Sequence, residues 1–293
     1  MTSETKATFA ALLAISMFVF PLPTSTSHAS EISLGGSDLG TSCDVDGSGT
    51  DADPYLVGSG EEFLNAMVYC SSGFFDFTSN FTVTNDQADV NPKSSQVTIR
   101  GRGHTVTFEE LDKSNGTFVA DGSHMTVEDV NFVLPASEDE PFFGTGGVNS
   151  RLELNDVTIT HGHLGQTSGS RIGSLTKFGA DRTNFVIRNA RIVGFPDDSG
   201  ELHLTRGLFD VPSSSSALSI DIVGLGLDYS KVTHVMPAPG DDVRFNRLLF
   251  EGKVDADTEI ENLQNVSLRA NKITLTDSFN QGMGLIMNTE APV

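Results

Sequence analysis

Three groups of polar residues in the 293-residue chain have types and spacings that could do chemistry. The first is Asp44-Val-Asp46-Gly-Ser-Gly-Thr-Asp51-Ala-Asp53, four carboxylates among tight-turning glycines. Such a loop suits a hard cation with oxygen ligands, Ca2+ above all. A twelve-residue calcium loop starting at Asp44 needs a bidentate Glu at its last position, where Tyr55 stands. A solvated acidic turn accounts for the same residues. The second group is His161-Gly-His163, which follows an apolar-alternating stretch ending at Ile159. Paired imidazoles can bind metal or move protons; an exposed turn is the plainer reading. The third is the carboxylate pairs Asp197-Asp198 and Asp241-Asp242, both in Pro- or Gly-containing stretches. Neither pair can be set beside His161 at a strand position, as acid–base work requires. With 39 Asp and Glu in the chain, facing carboxylates arise by chance, and spacing alone selects none. No catalytic residue and no metal ligand is assigned.

The elements that must position these residues follow from a repeat. Its unit is apolar-x-apolar, two residues rich in Asn, Asp or Arg, then apolar-x-apolar. Copies begin at Val97, Met125, Leu152, Phe185, Leu218, Val243 and Val266, with spacings of 28, 27, 33, 33, 25 and 23. Alternation within each half predicts a strand with one buried face. The two-residue break predicts a sharp corner, where Asn and Asp tolerate left-handed backbone angles. Phe118, Phe143, Phe178 and Phe209 each precede a copy by seven to nine residues. They mark a third short strand per repeat and an internal ladder of stacked rings. A chain with 20 Phe, 3 Tyr and no Trp fits dry stacking better than an exposed aromatic platform for carbohydrate.

Three strands per coil and coils of about this length resemble the right-handed parallel β-helix of the pectate-lyase-like superfamily, over roughly residues 73–280. The phrase Asp53-Pro54-Tyr55-Leu56-Val57, with its Gly-rich approach, resembles the opening of bacterial extracellular, adhesin-like β-helix proteins. The fold class expected is all-β: a right-handed parallel β-helix with a short N-terminal capping helix. An antiparallel sandwich is the competing architecture, but it needs hairpin signals, and Asn115-Gly116 and Asp121-Gly122 are the main ones. The resemblance does not carry an active site with it. Some β-helix hydrolases that cut galacturonan carry a His-Gly pair, as at His161-Gly162, beside several Asp residues, but their other motifs, an Asn-Thr-Asp triplet, an Asp-Asp pair on the same sheet and an Arg-x-Lys, are absent here as a set. Lyase chemistry would need calcium-binding Asp residues on one sheet and an Arg base. Asp129 and Asp156 fall in register, but at the corner, with Arg188 and Arg247 beside it.

The ends and the composition complete the expectation. Residues 1–29 read as an export signal: Lys6, an apolar run over residues 8–20, then Ser27-His28-Ala29. An uncleaved anchor is the alternative. Residues 30–58 form an acidic, Gly/Asp-rich lead-in. Residues 59–72 hold a cap helix, opened by the capping box Ser59-Gly-Glu-Glu62, with Phe63, Leu64, Met67 and Val68 on one face. Residues 73–293 are the β-helix. Cys43 and Cys70 are expected to pair, as in exported proteins, with two buried thiols as the alternative. Asn80, Asn115 and Asn265 lie in Asn-x-Ser/Thr sequons. A net charge of −21 sets nucleic acid aside, and nothing after the signal is long enough to span a membrane. The expected role is structural or adhesive, in a secreted or cell-surface protein that meets an extracellular glycan or surface protein. The alternative is a polysaccharide lyase or glycoside hydrolase acting on acidic polysaccharide.

Overall fold

The computed structural model describes residues 42–70, 72–84, 96–109, 118–135, 141–162, 175–178, 182–205, 207–211, 218–237, 248–252 and 259–273. The chain divides into two compact units, residues 1–33 and 34–293, and every described residue belongs to the second.

The first halves of the repeats form one parallel ladder. Its strands are β1 (Tyr55–Val57), β2 (Gly73–Phe77), β4 (Gln96–Arg100), β7 (His124–Glu128) and β10 (Arg151–Asn155). The ladder continues through the longer β13 (Asn184–Phe195), β16 (Ser219–Tyr229) and β19 (Glu259–Ala270). The second halves form another parallel run: β3 (Phe81–Val83), β5 (Thr105–Phe108), β8 (Asn131–Val133) and β11 (Thr158–Gly162). β13, β16 and β19 pass through both halves, so the two runs join into one sheet bent at a shared corner. The chain is all-β with mostly parallel sheets, an arrangement that fits a β-solenoid.

The corner is where the residue types act most directly. Asp129, Asp156, Asn189 and Asn265 have φ of 50°, 53°, 54° and 55°. Gly224, φ 81°, takes the same place between the Arg188↔Val223 and Ala190↔Leu225 pairs. In these five coils one left-handed residue turns the chain without a loop, whereas the turn after Arg100 uses two, Arg102 at φ 53° and Gly103 at φ 76°. Asn, Asp and Gly adopt that geometry at least cost. Hydrogen bonding continues through the bend, from Gly101 N–H to the Glu128 carbonyl (2.7 Å), Asp129 N–H to Asn155 (3.0 Å) and Asp156 N–H to Arg188 (2.8 Å).

The Phe-led strands form a second sheet: β6 (Phe118–Asp121), β9 (Phe143–Gly146), β12 (Thr176–Phe178), β15 (Phe209–Val211) and β18 (Phe250–Gly252). Phe118 pairs with Phe143, but Phe143 pairs with Thr176, and Thr176 with Phe209. Phe178 sits two residues along, opposite Thr145. The expected ladder is therefore interrupted. Rings meet edge to face instead of stacking flat: Phe142 lies 5.0 Å from Phe118 at 72° and 4.9 Å from Phe132 at 67°. This geometry sets the positive edge of one ring against the negative face of the next.

The later coils depart from three strands. β14 (Glu201–Leu204) and β17 (His234–Pro237) pair in parallel as a fourth side, extended by a Val235↔Ile273 bridge. The last two expected copies are also phased differently. Val243–Arg247 lies outside the described residues, and Phe250 belongs to the Phe-led sheet, opposite Phe209. Val266 and Leu268 pair with Leu225 and Leu227, so they start the second half of a coil whose corner is Asn265. Apolar alternation looks the same in either half, so the repeat alone could not assign them.

At the N-terminal end the expected helix is α1 (Gly60–Tyr69). The Ser59 hydroxyl accepts from Glu62 N–H (3.1 Å), and the Glu62 carboxylate accepts from Gly58 N–H (2.7 Å), one residue earlier than the usual box. Phe63, Ala66 and Met67 are buried, whereas Leu64 and Val68 are half-buried. The Phe63 ring meets Phe77, Phe81, Phe108 and Phe118, so the helix closes the core at that end. Cys43 and Cys70 form a disulfide. It ties the lead-in to the end of α1 and, by loop length, contributes about 3 kcal/mol in the chain-entropy account. The Asp-Pro-Tyr phrase is itself structural: Tyr55–Val57 is the first rung.

Candidate functional site

Strand alternation sends every second residue of the bent sheet outward. Along the first half of the coils this face carries Arg100, Arg151, Glu153, Asn155, Arg188 and Asp221, on rungs hydrogen-bonded to one another. Their charges are paired. Arg151 donates to the Glu153 carboxylate at 2.8 Å, and Asn155 donates to its other oxygen at 3.1 Å. Burial pushes the Glu153 carboxyl up, but the hydrogen bonds from Arg151 and Asn155 and the charges of Arg151 and Arg188 outweigh it. The net shift is downward. Arg188 reaches across one rung to the Asp221 carboxylate and carbonyl. On the second half of the coils Arg191 bonds Asp228. Hydrogen bonds from Ser230 and Arg191 hold that carboxyl below its ordinary range.

Glu153 and Asp221 occupy one row, with the buried Val186 between them. Two strand spacings put their backbones about 10 Å apart. That approaches the separation of an inverting glycosidase pair, but such a pair needs one carboxyl protonated as the acid. Glu153 is held ionised and Asp221 is engaged by a guanidinium, so the row is arranged for charge pairing.

At the N-terminal end Asp76 accepts from both Arg100 and Arg102, the latter at 2.7 Å. Asp51 of the acidic loop accepts from Arg100 at 2.6 Å. Burial lowers and the two carboxylates raise the Arg100 value, with the rise prevailing. Asp44, Asp46, Asp51 and Asp53 are all exposed. The Asp44 N–H bonds Asn65, and the Asp53 carbonyl closes the turn with Ser48 and Thr50. Among the described residues, no group of three or more His, Cys, Asp and Glu is placed to hold a metal ion.

The histidines part company. His161 is not in an exposed turn: it lies in β11, facing inward and 1% exposed, with Nε2 3.3 Å from the Tyr229 hydroxyl. The two residues are two coils apart. Gly194, the register partner of His161, stands between them, and a Cβ there would overlap the Tyr229 ring. Burial drives the Tyr229 phenol well above its ordinary value. No local pattern in His161-Gly-His163 could reveal a partner 68 residues away. His163, Asp241, Asp242 and Arg247 lie outside the described residues.

The fourth side holds a cluster of which the sequence spacing singled out only Asp197, not its partners Glu201 and His203. Asp197 accepts from Ser199 N–H (2.9 Å), the Ser199 hydroxyl (2.6 Å) and Glu201 N–H (2.9 Å). His203 Nε2 lies 3.5 Å from both the Asp197 and Glu201 carboxylates. His234 pairs with Glu201 across the strands; burial and then Lys272 lower its value against the pull of Glu201. Asp198 is exposed beside it. The signal available in sequence was Glu201-Leu-His203-Leu, an alternating strand with both polar residues on one face.

In comparisons with known proteins, no family model, no curated protein and no solved structure matches the chain. No helix among the described residues is long and apolar enough to cross a membrane.

Proposed function

We propose that this chain is a secreted or cell-surface right-handed β-helix, related in architecture to the pectate-lyase-like superfamily, with a structural or adhesive role. The observation that carries the reading is the pairing of outward charge. Arg151–Glu153, Arg188–Asp221, Arg191–Asp228 and the Asp51–Arg100–Asp76–Arg102 chain join each carboxylate to a guanidinium, three of them across rungs. Groups engaged in this way hold coils together and are not poised for proton transfer. The disulfide and the charge of −21 suit an exported protein. Its partner is an extracellular glycan or surface protein meeting the outer face.

A second reading, a hydrolase or lyase for acidic polysaccharide, is favoured by the Asp197–His203–Glu201 contacts beside His234. Screening the purified protein against acidic polysaccharides, with calcium and with chelator, separates the two. The structural reading expects binding or inertness without product. Turnover on any substrate, abolished by His203→Ala, would establish the second.

A further inference from the structure

The outward residues of the two halves of the coils differ in kind. In the first half Arg100, Arg151, Glu153, Arg188 and Asp221 form ion pairs. In the second half β5 presents Thr105 and Thr107, β8 Asn131 and Val133, and β11 Thr158 and Thr160, with Thr82 of β3 beyond them. All are exposed or half-buried and alternate with buried residues such as Val106, Phe132 and Ile159. None of them ionises, in a chain whose net charge is −21. The neutral patch ends at the next rung, where Arg191 bonds Asp228. Register makes the patch a lattice. Thr105 pairs with Asn131 and Asn131 with Thr158; Thr82 pairs with Thr107, Thr107 with Val133 and Val133 with Thr160. Equivalent positions on neighbouring strands stand about 4.8 Å apart, and alternate residues along one strand about 6.6 Å.

We propose that this face binds ice. Among the described residues, none of the five threonine hydroxyls bonds another protein group. Threonine is stiff at χ1, so each hydroxyl and methyl keeps a fixed place on its rung. Asn131 is fixed as well, its amide donating to the Gly103 carbonyl at 3.0 Å. The oxygens on the prism faces of hexagonal ice repeat at spacings similar to the two of this lattice. Several hydroxyls can therefore engage ordered water together, with no side chain to reorder, and many weak contacts on one sheet add as a multivalent attachment. The charge distribution selects the same occupant. Ice excludes ions, so a face of ionised side chains cannot lie against its lattice, whereas this neutral one can. A single glycan chain would use a groove or an aromatic platform, and none of these outward positions carries a ring.

Thermal hysteresis and inhibition of ice recrystallisation by the purified protein test this, against serum albumin at equal concentration as the baseline. Activity above that baseline is expected. Thr107→Lys combined with Thr160→Lys sets two charged stems into one column of the lattice and should abolish it. Thr98→Lys combined with Thr126→Lys makes the same change on the first half of the coils and should leave it intact. Circular dichroism and the intact Cys43–Cys70 disulfide report folding of each variant. Thr82→Lys, at the exposed end of the column, is the milder change and should lower the activity should the double variant misfold. A parent protein no more active than albumin would overturn the proposal. So would activity retained in a folded Thr107→Lys/Thr160→Lys protein, or lost equally in the Thr98→Lys/Thr126→Lys protein.

Discussion

The coils before residue 150 and those after residue 180 solve the same packing problem with different side chains. The early coils are filled by rings: Phe63, Phe77, Phe81, Phe108, Phe118, Phe132, Phe142 and Phe143 meet edge to face or at tilted angles. The later coils gain the fourth side β14–β17 and are lined mainly by aliphatic side chains, Leu202, Leu204, Leu218, Ile220, Ile222, Leu225 and Leu227, with Phe185 and Phe209 meeting edge to face among them. Into that lining is set a polar contact, His161 to Tyr229 across Gly194. A parallel ladder therefore specifies backbone register but not core chemistry. Rings dominate the early core, and in the later, more aliphatic one a directional contact between His161 and Tyr229 joins coils.

Removing a ring from the early coils should have the largest effect. Phe118 is fully buried and meets Phe63, Phe108, Phe132, Phe142 and Phe143. Phe118→Ala is expected to cost about 3–5 kcal/mol by transfer and cavity terms together. Denaturant unfolding followed by circular dichroism measures it. A loss no larger than that of an average surface substitution would mean that the rings do not carry the early coils.

The later coils should respond most to their polar contact. Tyr229→Phe keeps the ring and removes the hydroxyl that meets His161. The expected cost is about 1–2 kcal/mol, with hydrogen exchange rising in β11, β13 and β16 while β4 and β7 keep their protection. Equal loosening of both regions would contradict the division between them.

The corner is common to both regions and should behave alike in each. Asp156→Ala keeps the Cβ at φ 53° but removes the carboxylate and its local hydrogen-bonding options. It should destabilise by about 1 kcal/mol, whereas Asp156→Gly should recover most of that. Asn189→Ala and Asn189→Gly should repeat the pattern in the later coils.

Smallest is the acid response of the outer face. Glu153 has its folded value below the unfolded one. Its contribution is therefore fully present above the unfolded value, near the ordinary carboxylate range, and is lost as pH falls through the lower folded value. Glu153 is partly exposed, so the effect is a modest one. A thermal melt series from neutral pH downward should fall less steeply in Glu153→Gln than in the parent protein.

The corner was the most legible feature in the sequence. Asp129, Asp156 and Asn189 stand between apolar alternations, and their side-chain chemistry explains their place. The helix and the disulfide were readable for the same reason: a capping box and a lone cysteine pair act locally. What escaped the reading depends on distance or register. His161 looks like a turn residue until Gly194 and Tyr229 are stacked under it. Thr176, not Phe178, takes the rung between Phe143 and Phe209 because β12 is shifted by two residues, and an alternating strand looks the same after such a shift. Val266 was placed in the wrong half of its coil for a similar reason. The cluster at Asp197, Glu201 and His203 needed the fourth side, which the three-strand repeat does not contain.

In-register stacking of coils is the claim on which the remaining inferences depend, and one cross-link tests it directly. Thr98 and Thr126 are register partners on adjacent strands, both partly exposed on the outer face. Thr98→Cys with Thr126→Cys should oxidise to a disulfide, identified by peptide mapping, alongside Cys43–Cys70. Failure of that pair, with ready oxidation when Thr98→Cys is combined instead with His124→Cys or Glu128→Cys, would contradict the register and the stacked architecture built on it.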